Sequence, residues 1–261
     1  NGQLPNPAEL TAFEAELRAE YAIPDGLLAM IRETPTDAST MHVVQTLVSA
    51  LSLFDPECDD DSPEANIRKA IRLVAKTPTL IAAFDRHRKG KEIIPADPNR
   101  SIASNFLWML RGEEPTATMV RALDVCLVLH ADHGFNASTF TSLVVISTLS
   151  DLYSACSAAV GALRGPLHGG ANEGVMVMLN EIGDLDKVDE FMKGKLERKE
   201  KVMGFGHRVY KAYDPRATYL KTFSEGLARD TGNMPLYEMS TRIEGIMHEA
   251  VASKGIFPNV D

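Results

Sequence analysis

The chain has 261 residues and a formal net charge of −9, from 27 Lys and Arg against 36 Asp and Glu. That length predicts one large domain or two modest ones with a core that needs no covalent staples, and the lack of a basic excess argues against a general nucleic-acid binder while leaving room for a local basic pocket for a small anion. Three widely spaced cysteines (Cys58, Cys126, Cys156) without a CxxC argue against a disulfide scaffold or a cysteine zinc site, so a reducing compartment, the cytoplasm, is expected; no apolar run reaches membrane-spanning length.

The periodicity is helical nearly throughout. Leu10, Phe13 and Leu17 fall at i, i+3 and i+7 over residues 7–19, one amphipathic face. Val43, Leu47 and Leu51 do the same over 39–53. An acidic loop, Asp59-Asp60-Asp61, leads into a helix with Ser62 as N-cap and Pro63 at its first position. Thr77-Pro78-Thr79 predicts a break before a further helix at 79–88. Helices are predicted at 101–111 and 115–130. Residues 138–160 form the longest apolar segment, so poor in charge that burial on most sides is expected. Further helices are predicted at 171–182, 186–199, 215–230 and 236–253. No stretch alternates with period two, so any sheet is small. The Gly-rich segment near 165 is the candidate domain boundary. The chain starts at Asn1 without Met and stops at Asp261, and both ends read as cut.

Several segments place polar residues where helix geometry does not need them. His130 and His133 share a face at a helix end, with Gly134 as the stop. Three readings stand there: a polar C-terminus favoured by the helix dipole, an HxxH chelate that lacks a well-placed third ligand, and donors for a small anionic substrate. His168 lies in Gly165-Pro166-Leu167-His168-Gly169-Gly170, hemmed in by backbone just before a helix start. That position favours a neutral imidazole donor; the alternative is a Gly-rich hinge with an incidental His. Gly204-Phe205-Gly206 allows close backbone approach to a ligand, and Lys201, Arg208 and Lys211 supply charge for phosphates. It is not a GxGxxG, and no strand precedes it. Asp214 and Pro215 make a helix start, where Arg216 opposes the dipole and so points to an anionic ligand, a carboxylate. No metal set, Ser-His-Asp arrangement or P-loop is visible. Neutral His donors, an Arg for carboxylate and one carboxylate base suit enolisation and condensation beside a carbonyl.

HADHGFNAST (130–139), GPLHGGANE (165–173), MGFGHRVYKAYDPRA (203–217) and PNVD (258–261) resemble, in that order, the motifs of the citrate synthase family. The resemblance runs over essentially the whole chain, from the opening Asn-Gly-Gln-Leu-Pro. It implies an all-α, two-domain fold that works as a homodimer, with a higher homo-oligomer as the alternative. Residues 1–165 would be a large helical domain and 166–261 a smaller mobile one, each incomplete. The implied reaction is a Claisen-type condensation of acetyl-CoA with oxaloacetate to citrate and CoA. Asp261 would be the base, His168 the donor to the enol oxygen, and His207 the group polarising the oxaloacetate carbonyl. His133 and Arg216, with His130 and Asn136, would hold oxaloacetate. Val202, Met203, Gly204, Phe205 and Gly206, with Arg208, Lys211 and Asn259, would line the coenzyme A site. No metal and no cofactor is implied, since acetyl-CoA is a substrate, and no membrane or nucleic-acid partner is expected.

Two other functions fit the same motifs. One is 2-methylcitrate synthase, which uses propionyl-CoA; many of those sequences carry Lys where this chain has Leu167, which leans toward citrate. The other is a catalytically silent helical assembly protein on the same fold. The resemblance also implies helices before Asn1 and, after Asp261, the rest of the small domain with further substrate-binding arginines.

Overall fold

The computed structural model describes residues 3–131, 134–206, 213–251 and 255–259. Among these the fold is all α, with twelve α-helices, two short 3-10 turns and no strand. The chain divides into two compact units, Asn1–Asp124 with His133–Arg164 and Val125–Asp132 with Gly165–Asp261.

In the first unit, α1 (Pro7–Ala19) starts on a capping box: the Asn6 carboxamide accepts the Glu9 amide and the Glu9 carboxylate accepts the Asn6 amide. Only the end of its expected apolar face is covered. Leu17 is buried with Tyr21 against Ile71 and Ala75, while Leu10 and Phe13 are exposed. Helix α2 (Asp25–Glu33), which no sequence signal indicated, is nine residues long and buries Leu27 and Ile31 completely. Its N-cap is Pro24, without a side-chain cap bond, so neither length nor capping announces it. Helix α3 (Thr40–Ala50) runs on into a 3-10 turn, Leu51–Phe54.

Helix α4 (Pro63–Arg88) corrects the break expected at Pro78, because it passes through that residue uninterrupted. Proline removes one N–H and crowds the carbonyl four residues back, here that of Val74. Val74 faces solvent, so water can satisfy its carbonyl. Helix α5 (Ile102–Arg111) ends on Gly112 at φ +78°. The apolar segment 138–160 is not one buried helix but two. Helix α7 (Ala137–Ile146) stops, the chain turns through Leu149 at φ +61°, and Asp151 caps α8 (Leu152–Leu163) by accepting the Ser154 amide at 2.9 Å. Nor is α7 buried: Phe140, Leu143 and Val144 are about half exposed. The core of this unit is Leu27, Ile31, Val44, Leu47, Leu80, Phe84 and Tyr153, where α2, α3, α4 and α8 meet.

Helix α6 (Ala117–His130) leads toward the second unit. That unit contains α9 (Gly170–Ile182), a 3-10 turn at Leu185–Lys187, α10 (Val188–Glu197), α11 (Pro215–Asp230) and α12 (Met234–Val251). The helix expected at 186–199 is therefore a 3-10 turn followed by α10. Helix α12 packs against α9, α10 and α11. Its Met239, Ile243 and Met247 close a core with Leu179, Ile182, Val188 and Met192. The three cysteines are free thiols, each raised above its ordinary pKa chiefly by burial. Among the described residues no His, Cys, Asp or Glu cluster could hold a metal, and no helix is long and apolar enough to cross a membrane.

Candidate active site

The Gly-rich loop of the second unit is anchored by its own side chains. Val202 is buried in the unit's core, and Met203 and Phe205 pack against it. Those three side chains therefore face inward, and what the segment can offer a ligand is backbone. Gly204 and Gly206 sit at φ +84° and +81°, a region only glycine enters without strain. The turn they make brings the loop against the segment before Asp261. Phe205 and Pro258 form an antiparallel bridge. The Gly206 amide donates to the Phe257 carbonyl at 2.8 Å, and the Asn259 amide donates to the Gly204 carbonyl at 3.0 Å. The Asn259 carboxamide donates to the Gly206 carbonyl at 2.9 Å. Four predicted residues, Gly204, Phe205, Gly206 and Asn259, are thus brought together.

His168 stands in a tight turn. Its amide donates to the Gly165 carbonyl at 2.9 Å, and the His168 carbonyl accepts from the Ala171 amide at 3.0 Å. Helix α9 begins two residues later with Gly169 as its cap, which places His168 at a helix N-terminus, as its sequence context predicts. Glu173 in the first turn matches the positive end of that dipole. The neighbouring Leu167 is 89% exposed.

Arg216 resolves its conflict with the dipole of α11 within the chain. Its Nε and Nη2 donate to the two oxygens of Asp214 at 3.1 and 2.9 Å, and Asp214 also caps the helix by accepting the Arg216 amide at 3.0 Å. The Asp214 side chain has no solvent exposure. Sequence spacing revealed Asp214 only as a cap; Asp-Pro-Arg also spaces a carboxylate for a two-point bond to the guanidinium.

His130 ends α6, and its Nδ1 lies 2.7 Å from the Cys126 carbonyl. A carbonyl only accepts, so Nδ1 carries the proton there. Asn136, in the first unit, caps α7: its oxygen accepts the Ser138 and Thr139 amides at 2.9 and 3.1 Å, and its nitrogen donates to the Thr139 hydroxyl at 3.1 Å. His133, His207, Arg208, Lys211 and Asp261 lie outside the described residues. Two concavities of about 480 Å³ open in the first unit, one beside Gln45 and Ser157, the other beside Met30 and His42, and no candidate residue lines either.

The family profile described as citrate synthase, C-terminal domain, matches residues 1–261. The chain belongs to the citrate synthase family. It is 48% identical over 261 residues to a citrate synthase of Deinococcus radiodurans, an alignment covering 100% of this chain and 69% of that protein. It is 42% identical over 263 residues to a 2-methylcitrate synthase of Mycobacterium tuberculosis, covering 100% of this chain and 65% of that protein. Its fold superposes with a TM-score of 0.93, at 33% identity, on the citrate synthase of the thermophilic archaeon Thermoplasma acidophilum, solved as a ternary complex with carboxymethyl coenzyme A and oxaloacetate. That match covers 99% of this chain and 68% of the solved one. The all-α citrate synthase fold follows from both comparisons.

Proposed function

We propose that the protein catalyses the condensation of acetyl-CoA with oxaloacetate, releasing citrate and CoA. The observation that carries the proposal is the loop 203–206 clasped to 257–259 in the same unit as His168 and the Asp214–Arg216 pair. Asp261 removes a methyl proton from acetyl-CoA, and His168 donates a hydrogen bond to the enol oxygen as charge builds there. A donor already fixed in place stabilises that charge without reorganising, and the helix N-terminus behind His168 favours its neutral form. His207 polarises the ketone of oxaloacetate, which His133 and Arg216, with His130 and Asn136, hold in place. The enol carbon attacks that ketone carbon, and water then cleaves the thioester of citryl-CoA. The backbone of 202–206, with Arg208, Lys211 and Asn259 nearby, receives coenzyme A. Residues 1–165 belong to the large domain and 166–261 to a smaller mobile one, whose closure over substrate keeps water from the thioester.

The exposed apolar face of α7, with Phe140, Leu143 and Val144, supports a homodimer of this chain. The free, unpaired thiols support a reducing compartment such as the cytoplasm. Propionyl-CoA is the second acyl donor to consider, given the mycobacterial relative. Leu167 favours acetyl-CoA, although one methylene changes specificity by only about 1–3 kcal/mol. CoA release with oxaloacetate and either thioester tests both. Faster turnover of propionyl-CoA would reassign the substrate, and no release from folded protein would leave an assembly role.

A further inference from the structure

We propose that Asn259 is a positioning residue whose carboxamide sets the register between the segments that lead to His207 and to Asp261, an inference that rests on the catalytic roles given to those two residues. Among the described residues these segments share the antiparallel bridge and the three hydrogen bonds above, one of them from the Asn259 side chain. That bond holds a particular peptide. The Gly206 amide donates to Phe257, and the Gly206 carbonyl accepts from Asn259 Nδ2 at 2.9 Å, so Gly206 is gripped on both sides. The Gly206 carbonyl and the His207 nitrogen belong to one planar peptide group. Fixing the carbonyl therefore fixes the plane from which the His207 residue departs.

The same Asn259 uses its own amide on the Gly204 carbonyl at 3.0 Å, and it stands two residues before Asp261 in the chain. Two glycines at positive φ flank Phe205, so the loop has little intrinsic preference for one shape. A donor supplied from the opposite segment is what selects that shape. A carboxylate of the same size cannot take this place, because it only accepts and would set its oxygen against the Gly206 oxygen.

Asn259→Asp, Asn259→Ala and Asn259→Gln in the full-length protein test this, beside Asp261→Asn and His207→Gln. Since a misplacement near 1 Å can cost on the order of 100-fold, kcat for the condensation is expected to fall about 10- to 100-fold in the Asp and Ala variants. The KM for oxaloacetate should stay within about threefold of wild type, and Gln, which keeps the donor on a longer stem, should recover part of kcat. Hydrogen exchange at the Gly206 and Asn259 amides should quicken in the Asp and Ala variants while the amides of Leu179 and Ile243 stay protected. This last measurement reads the clasp even in a variant too weak to assay. A rise confined to the KM for acetyl-CoA, with kcat kept, would leave Asn259 a coenzyme contact alone and overturn the proposal, as would unchanged exchange at Gly206. If Asp261→Asn and His207→Gln keep full activity, the catalytic assignment fails instead. If they lose it while Asn259→Asp keeps kcat, only the positioning role fails.

Discussion

The Arg216 guanidinium lies side-on against the carboxylate of Asp214, with Nε–Oδ1 at 3.1 Å and Nη2–Oδ2 at 2.9 Å. Asp214 has no exposed side-chain surface and Arg216 has 12%. Breaking such a pair from one side strands a buried charge, so Arg216→Met is expected to destabilise the protein by about 3–5 kcal/mol. Asp214→Asn combined with Arg216→Met should cost clearly less than the two single changes added together. Arg216→Lys keeps the charge but not the two-point geometry, and the KM for oxaloacetate should rise at least about tenfold. Urea unfolding of the four proteins and steady-state kinetics measure this; additive single costs would mean the two side chains are not coupled.

In the first unit, Arg72 joins three acids, with Asp55 at 2.9 Å, Glu57 at 2.6 Å and Glu20 at 3.5 Å, while Arg68 pairs with Glu57 and the Tyr153 hydroxyl donates to Asp55. Hydrogen bonds from Arg68, then Arg72, hold Glu57 down at about 2. Burial pushes Asp55 up, but the Tyr153 hydroxyl, the Glu57 amide and Arg72 outweigh it and leave the carboxyl lowered. Both folded-state values lie below the unfolded ones, near 4. The stability these groups supply is therefore complete above the unfolded pKa and is lost as pH falls toward the folded one. Thermal midpoints are expected to drop from about pH 5 to about pH 2, and Glu57→Gln should make that slope shallower. Parallel curves for the two proteins would remove Glu57 from the account.

Lys69 has no solvent exposure, and its ammonium donates to the carbonyls of Cys58 at 3.1 Å and Asp60 at 2.7 Å. It ties the acidic loop to α4. Lys69→Met keeps the stem's bulk but strands two carbonyls, so a loss of about 2–4 kcal/mol is expected. The loop should also become a site of limited proteolysis near Asp60. An unchanged unfolding midpoint would mean that water replaces the ammonium.

Much of this was legible in the sequence because it is local. Ser62 and Pro63 announce the start of α4, Asp214 and Pro215 that of α11, and the glycines around His168 the turn before α9. The failures come from tertiary context. Pro78 reads as a stop, yet the packing of Leu80 and Phe84 carries α4 through it. The apolar segment 138–160 reads as buried, but period alone cannot reveal the Asp151 cap that divides it, nor what covers α7. At the site, motif order named the residues and the Asp-Pro-Arg spacing allowed the Asp214–Arg216 pair, while the bond from Asn259 to Gly206 depends on side-chain direction that no spacing encodes.

Two glycines of the second unit should differ in how alanine affects stability, while both lose activity. At Gly206 an added Cβ meets nothing closer than Ile256 Cγ2 at 3.9 Å, so its cost is the φ of +81° alone. Gly206→Ala is expected to lose about 1–2 kcal/mol of stability together with activity. Gly174 lies inside α9, where Ala is favoured over Gly by about 1 kcal/mol. There the new Cβ meets Met203 Cε at 2.8 Å and Cγ at 3.3 Å, so the thioether must move. Met203 directly precedes Gly204, and the displacement passes into the loop. Gly174→Ala should therefore unfold within about 0.5 kcal/mol of wild type, because the helix gain offsets the crowding, and still lose several-fold in kcat. Activity that follows stability in both variants would show that the loop absorbs the shift, and would leave Met203 a packing role only.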